Sequence, residues 1–235
     1  MKTIVWLTVL CSIFLSGPSF ALPTDNAVKA MQKGDFQTAL RELRPLLKTN
    51  DANAQFLMGM LYDAGNGVAQ DQATAASWYR KAAEQRHLVA QLFLGVLYYS
   101  GSGVKRNYGE ARRWFQLPAD SGNDQAQFYL GSMYAEGKGV KEDSSKAIEW
   151  FTKAAVQRNT QAMGMLSTLL FSRHQNDQDL IDAYVWSHLA ADYDPIQAMT
   201  SGRVLIAKYC NEAQVRAAKR LIAKWRKKWG NGPDK

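Results

Sequence analysis

Cysteine is almost absent from this 235-residue chain, which carries only Cys11 and Cys210. A small scaffold stapled by disulfides is therefore excluded. Proline is sparse at six residues, and glycine, at 17, follows no triplet period. A collagen-like rod is excluded with it. No apolar run reaches the roughly 20 residues that a membrane-spanning helix needs, so the chain does not read as a polytopic membrane protein. What is present is ordinary globular composition, 46% hydrophobic and 21% charged, which excludes a disordered tail.

The signatures of chemistry are missing as well. There is no phosphate-binding glycine loop and no Gly-x-Ser-x-Gly turn. Cys210 has no histidine near it in sequence to act as its base. The three histidines are His87, His174 and His188. His174 stands near Asp177, Asp179 and Asp182, but the spacing fits no zinc pattern, and a calcium loop's turn glycine and terminal glutamate are lacking. No cofactor, no metal and no enzymatic activity is expected.

Residues 1–21 read as a targeting segment rather than part of the fold. Lys2 supplies a positive start, Ile4 to Leu15 an apolar core of twelve residues, and Ser19-Phe20-Ala21 small residues at −3 and −1. Cleavage is expected after Ala21, giving a periplasmic or secreted protein. Leu10 stands before Cys11 where a lipoprotein site requires a small residue. The remaining chain holds one cysteine, Cys210, and no internal disulfide.

The dominant signal is a repeat of 36 residues. Trp78, Trp114, Trp150 and Trp186 keep this spacing, as do Ala54, Ala90, Ala126, Ala162 and Ala198, and Ala39, Ala75, Ala111, Ala147 and Ala183. Three full copies add Gly59, Gly95 and Gly131; Tyr62, Tyr98 and Tyr134; Gly65, Gly101 and Gly137; Gly67, Gly103 and Gly139; and Val68, Val104 and Val140. Within a copy, Ala54, Leu57, Met58, Leu61 and Tyr62 form one helical stripe, and Ala75, Trp78, Tyr79, Ala82 and Ala83 form another. Gly65 falls where a helix ends in a left-handed residue, and Asp71 where the next begins, as do Asn107, Asp143 and Asp179 in their copies. Asn107 and Glu110 are spaced as a capping box. The tryptophans are placed on the core stripe of each second helix. The small residue Gly59 is read as allowing close helix approach, and the Gly-x-Gly pairs as turns.

One hairpin cannot bury its own apolar stripes, whereas stacked copies form a continuous core. The expected fold is an all-α solenoid of stacked helix–turn–helix repeats with a period of 36. The pattern from Ala54 to Ala83, A-x-x-x-M-G-x-x-Y-x-x-G-x-G-V-x-x-D-x-x-x-A-x-x-W-Y-x-K-A-A, closely resembles the SEL-one-like repeat, a relative of the tetratricopeptide repeat. The resemblance implies an all-α right-handed superhelical solenoid that serves as an adaptor and is often exported in bacteria. It spans about 51–195, read as repeats 51–87, 88–123, 124–159 and 160–195. Residues 22–50 form an opening hairpin, and 196–235 a degenerate repeat with a capping helix.

The copies also depart from the pattern. The fourth replaces the double-glycine turn with Arg173-His174-Gln175-Asn176-Asp177. The fifth keeps Ala198, Ser201, Gly202, Leu205 and Ile206 as a first helix. Pro45 and Pro118 are expected to kink their helices or end them early. Asn211 and Gln214 open a last helix whose stripe is Val215, Ala218, Leu221, Ile222, Trp225 and Trp229.

Charge is segregated. From Lys208 to Lys235 nine cations face two acids, whereas residues 22–207 hold 19 of each sign. This basic end serves either as the polar outer side of a terminal cap or as a contact for an acidic partner, a membrane surface or a wall polymer. Nucleic acid is not an expected partner, because the chain reads as exported and shows no recognition motif.

Function then points to an interaction scaffold that captures a peptide or folded envelope protein along a concave face. The positions just off the first-helix stripes are Gln55, Phe56, Met60 and Asp63; Gln91, Leu92, Val96 and Tyr99; and Gln127, Phe128, Ser132 and Ala135. These are the candidate partner-binding residues, although Phe56 and Phe128 equally suit packing against adjacent hairpins. The alternative is a cell-wall-associated hydrolase or penicillin-binding, β-lactamase-like activity. The cysteine-rich exported members to which such activity is ascribed carry cysteine pairs that this chain lacks.

Overall fold

The computed structural model describes residues 23–194 and 202–230. The expected cleavage site after Ala21, and Ala198 and Ser201 of the fifth copy, lie outside those residues. Among the described residues there are twelve helices and no strand. The chain divides after Arg106 into two compact units.

In the first unit α1 (Asp25–Gln32) pairs with α2 (Phe36–Lys48), α3 (Ala52–Ala64) pairs with α4 (Gln72–Glu84), and α5 (Leu88–Ser100) packs on α4. The second unit runs α6 (Tyr108–Asp120), α7 (Asp124–Glu136), α8 (Ser144–Ala155), α9 (Thr160–Arg173) and α10 (Asp177–Tyr193), each packed on the one before it. Two more helices, α11 (Arg203–Tyr209) and α12 (Glu212–Trp229), pack on α10.

The helix limits follow from local chemistry that the repeat copies. The Asp51 carboxylate accepts from Ala54 N at 2.8 Å, and Asn123 does the same for Ala126 N at 2.8 Å. Each of α3, α5 and α7 stops at a left-handed glycine, Gly65, Gly101 and Gly137, whose N–H returns to the last turn. Asp71, Asn107 and Asp143 then cap the second helices. Asn107 caps α6 without a capping box; the Glu110 carboxylate accepts from Trp114 Nε1 at 3.1 Å instead. Asn211 and Gln214 do form one at the start of α12.

The prolines interrupt less than expected. Helix α2 runs three residues beyond Pro45, and α6 two beyond Pro118. Each proline removes a single backbone donor close to a helix end, and neither helix continues for another full turn.

Alanine brings the helices of each unit together. Ala54, Ala75 and Ala90 in the first unit, and Ala111, Ala126, Ala147, Ala162 and Ala183 in the second, are fully buried. The closest approach lies at Gly59, where an added Cβ would sit 2.5 Å from Tyr79 Cδ1, and at Gly131, where it would sit 2.6 Å from Phe151 Cδ1. Gly95 holds the same register in α5 and is buried with its neighbours Leu94 and Leu97.

This contact corrects the reading of the tryptophans. The aromatic laid into each core is the residue after the tryptophan: Tyr79, Phe115 and Phe151 are fully buried, whereas Trp78, Trp114 and Trp150 are half-exposed. One residue along a helix is about 100° around it, so only one of the two neighbours can lie over the glycine. The tryptophans sit at the rim, with the Lys81 ammonium 4.1 Å from the Trp78 ring and that of Lys153 4.1 Å from Trp150. Of the four, Trp186 alone is buried, 5.6 Å from Trp225 of α12.

The fourth hairpin solves its turn differently. Asn176, not Asp179, caps α10, accepting from Asp179 N at 3.0 Å. Asp179 is buried and takes both Arg173 Nη2, at 2.6 Å, and Arg173 Nε, at 3.2 Å. Hydrogen bonds from Arg173 are the main cause that holds its carboxyl below the usual range. An ion pair thus replaces the glycine turn.

The second glycine of each double-glycine turn does more than permit a left-handed backbone; it lets the turn close on a neighbouring helix start. At Gly67, with φ +74°, a Cβ would sit 2.7 Å from Phe36 Cβ. At Gly139, with φ +70°, it would sit 2.7 Å from Tyr108 Cβ and 2.9 Å from the Tyr108 carbonyl oxygen. Gly103 has φ +68°, and a Cβ there would overlap the Gln72 carbonyl. Gly34, by contrast, has φ +76° with open space around it. Gly34→Ala should therefore cost only the left-handed strain, about 1 kcal/mol. Gly103→Ala should cost a further ~1–3 kcal/mol, because backbone cannot yield as a side chain can. Urea denaturation of the two variants measures the difference.

Candidate interaction surface

Seven of the twelve candidate contact positions are not surface. Gln55, Phe56, Met60, Gln91, Leu92, Gln127 and Ser132 are all buried. The physical reason is the width of the covered sector. A hairpin packed on both sides hides more than one stripe, and in α3 every residue from Ala54 to Leu61 is buried.

The three glutamines are struts between hairpins. The Gln55 Nε2 donates to Asn50 Oδ1 at 2.6 Å, and its Oε1 accepts from Gln85 Nε2 at 2.8 Å. The Gln91 Nε2 donates to Ala83 O at 3.0 Å. In the second unit Gln127 Nε2 donates to Ala119 O at 3.0 Å, and Gln157 Nε2 to Gln127 Oε1 at 2.8 Å. A buried amide so bonded stabilises its register and is costly to remove. Phe56 stacks on the His87 ring at 4.9 Å and meets Phe93 edge-on at 5.6 Å. The Ser132 hydroxyl donates to Phe128 O at 3.0 Å.

The accessible remainder is Asp63, Val96, Tyr99, Phe128 and Ala135, all half-buried. Phe128 also packs 5.9 Å from Phe151 within its own unit. Among the candidate registers, one is half-buried in every copy. Asp63 and Tyr99 in the first unit, and Ala135 and Phe171 in the second, are each half-buried and spaced by 36. They stand near the C-terminal end of each first helix. An acid, two aromatic rings and a methyl group thus occupy one position of an otherwise repeated frame, and Phe171 also meets Tyr209 edge-on at 5.3 Å. That contrast of a variable column beside constant ones is visible in the aligned copies, but Phe171 was not among the expected residues. Exposed apolar side chains also occur at Met165, Val204, Leu205 and Tyr209.

The titratable side chains serve structure. His87 caps α5, its Nδ1 accepting from Ala90 N at 3.1 Å while Nε2 meets Asn53 Oδ1 at 3.1 Å. His174 Nδ1 bonds Phe171 O, and His188 Nδ1 bonds Tyr184 O. Burial pushes the Cys210 thiol up, away from the thiolate a nucleophile requires. No group of three or more histidine, cysteine or acidic residues is placed to hold a metal among the described residues. No helix there is long and apolar enough to cross a membrane.

Comparison with known proteins bears on the fold. The family described as Sel1 repeat matches residues 52–87, 88–123 and 124–157. A Sel1 repeat protein from Oxalobacter formigenes is similar in structure, with a TM-score of 0.62 at 23% identity, over 83% of this chain and 88% of that one. A protective antigen of uropathogenic Escherichia coli, displaying an SLR fold, is similar with a TM-score of 0.59 at 24% identity. That match covers 96% of this chain and 56% of the antigen. At such identities the likeness concerns the fold alone. No curated protein matches the chain.

His87 stands where the other copies have Asp51, Asn123 and Asn159, and only its neutral ring can accept from Ala90 N. Burial is the main cause that lowers its pKa below the usual histidine value. The folded state then binds fewer protons than the unfolded one. Stability should be full above pH ~6.5 and fall as pH drops through the folded-state pKa. His87→Asn should keep the cap and flatten that pH dependence, whereas His87→Ala should cost about 1 kcal/mol at neutral pH. Urea midpoints taken between neutral and mildly acidic pH check both.

Proposed function

The chain carries three Sel1 repeats between residues 52 and 157, and from that premise we propose an exported interaction scaffold of the cell envelope. Proteins of this family are typically protein–protein interaction scaffolds. The scaffold holds a partner polypeptide by non-covalent contact with the exposed edges of its first helices. One observation carries the reading. The repeats share caps, turns and core, yet at one accessible register the first unit carries Asp63 and Tyr99, and the second carries Ala135 and Phe171. A frame held constant around a varied, partly apolar set of accessible side chains is what recognition of a specific polypeptide requires. The apolar segment from Ile4 to Leu15, followed by Ser19-Phe20-Ala21, supports export as the setting.

The test uses a photo-crosslinking residue in place of Tyr99 or Ala135, with controls at the exposed Ser77 and Glu149 of the second helices. Expressed in the native envelope, the variants at 99 and 135 should each yield an adduct with a defined envelope protein, and the controls should yield none. Equal adducts from all four positions, or none from 99 and 135, would contradict the proposal.

A further inference from the structure

Helix α12 divides cleanly around its axis. Ala218 and Ile222 are buried, and Trp225 and Trp229 half-buried, on the side packed against α10. The opposite half carries Arg216, Lys219, Arg220, Lys224, Lys227 and Lys228, all exposed. By helix geometry these span about 18 Å of axis and roughly half the circumference.

Three cations on this helix have partners, among them Lys228, whose ammonium lies 4.6 Å from the Trp225 ring. Arg226 makes a two-pronged bond to the Asp192 carboxylate, with both distances 2.8 Å, and so fixes α12 to α10. Arg216 pairs with Glu212 at 3.2 Å, one turn away. Among the described residues Lys219, Arg220, Lys224 and Lys227 form no ion pair, and Glu212 is the only acid on the helix. Residues 22–207 balance 19 cations with 19 acids, so the positive excess of the chain is concentrated on this helix.

We infer that this half of α12 is an electrostatic contact for an anionic lipid bilayer. The apolar side is already used on α10, so the helix does not insert; it lies with its charged half against the head groups. Two features favour a lipid surface over an acidic protein segment. The array is mostly lysine, a hydrated point charge, rather than the arginine fork that selects one carboxylate in one geometry. It is a row along the outer side of one helix, matched to a laterally uniform negative plane. The binding is peripheral and reversible by salt, distinct from polypeptide capture by the first helices.

Co-sedimentation of the full chain with vesicles tests this. One set contains about one-third phosphatidylglycerol in phosphatidylcholine and the other phosphatidylcholine alone, which reports the contribution of the rest of the chain. The chain should bind the anionic set more tightly, and the difference should vanish as salt rises to ~0.5 M. Lys219→Gln/Arg220→Gln/Lys224→Gln/Lys227→Gln should weaken anionic binding by about a hundred-fold or more, with helicity by circular dichroism unchanged. Lys219→Arg/Lys224→Arg/Lys227→Arg keeps the charge and should retain it. Equal binding to both vesicle sets would overturn the inference. So would undiminished binding of the glutamine variant, or binding to polyglutamate without binding to anionic vesicles.

Discussion

A ring laid on a glycine sets the geometry of the repeat. Tyr79 lies on Gly59 and Phe151 on Gly131, at distances no Cβ would allow. Close approach there lets the alanine stripes touch, and dense packing makes the contact intolerant of even one added methyl group. The half-exposed tryptophans follow from the same contact, because the ring that occupies the glycine displaces its neighbour to the rim. The fourth hairpin shows the rule by exchange. Ser167 stands at the glycine register and Ser187 at the ring register, both fully buried. The Ser167 hydroxyl donates to Ala183 O at 2.8 Å and the Ser187 hydroxyl to Tyr184 O at 2.8 Å. Glycine and ring change together there, and Trp186 is buried under α12 instead.

Much of this was legible in the chain because the repeat copies the punctuation. Glycines 36 apart, followed by an Asp or Asn cap, place turns and helix starts without reference to packing. What periodicity could not separate was Trp78 from Tyr79. Both are large aromatics on adjacent residues, and the choice depends on which of them faces Gly59 across the hairpin. Nor could it show that Gly139 is pressed against the backbone of Tyr108, since a turn glycine reads alike whether its surroundings are open or closed. Seven of the twelve candidate surface residues are buried for a related reason. Gln55, Gln91 and Gln127 are polar, so they read as exposed, yet Gln55 and Gln127 use both ends of their amides on Asn50, Gln85, Gln157 and the Ala119 carbonyl, and the Gln91 Nε2 donates to the Ala83 carbonyl. Polarity marks a surface only where no buried partner is waiting. The Asp179 carboxylate misled similarly, since its distance from Arg173 is a property of the fold and not of spacing.

The two readings of function rest on different parts of the molecule. The first helices offer a short accessible register beside buried struts, which suits recognition of a polypeptide. The last helix offers charge without shape, which suits a surface rather than a segment. The Arg226–Asp192 pair ties α12 to α10.

A double-mutant cycle between Gly131 and Phe151 tests the central claim most directly. Gly131→Ala should destabilise the natural chain by about 2 kcal/mol, the cost of overpacking against a rigid ring. In a Phe151→Leu background the same change should cost at least ~1 kcal/mol less, because a flexible side chain can give way. An identical cost in both backgrounds would contradict the account, since the glycine would then be required for some reason other than the ring above it.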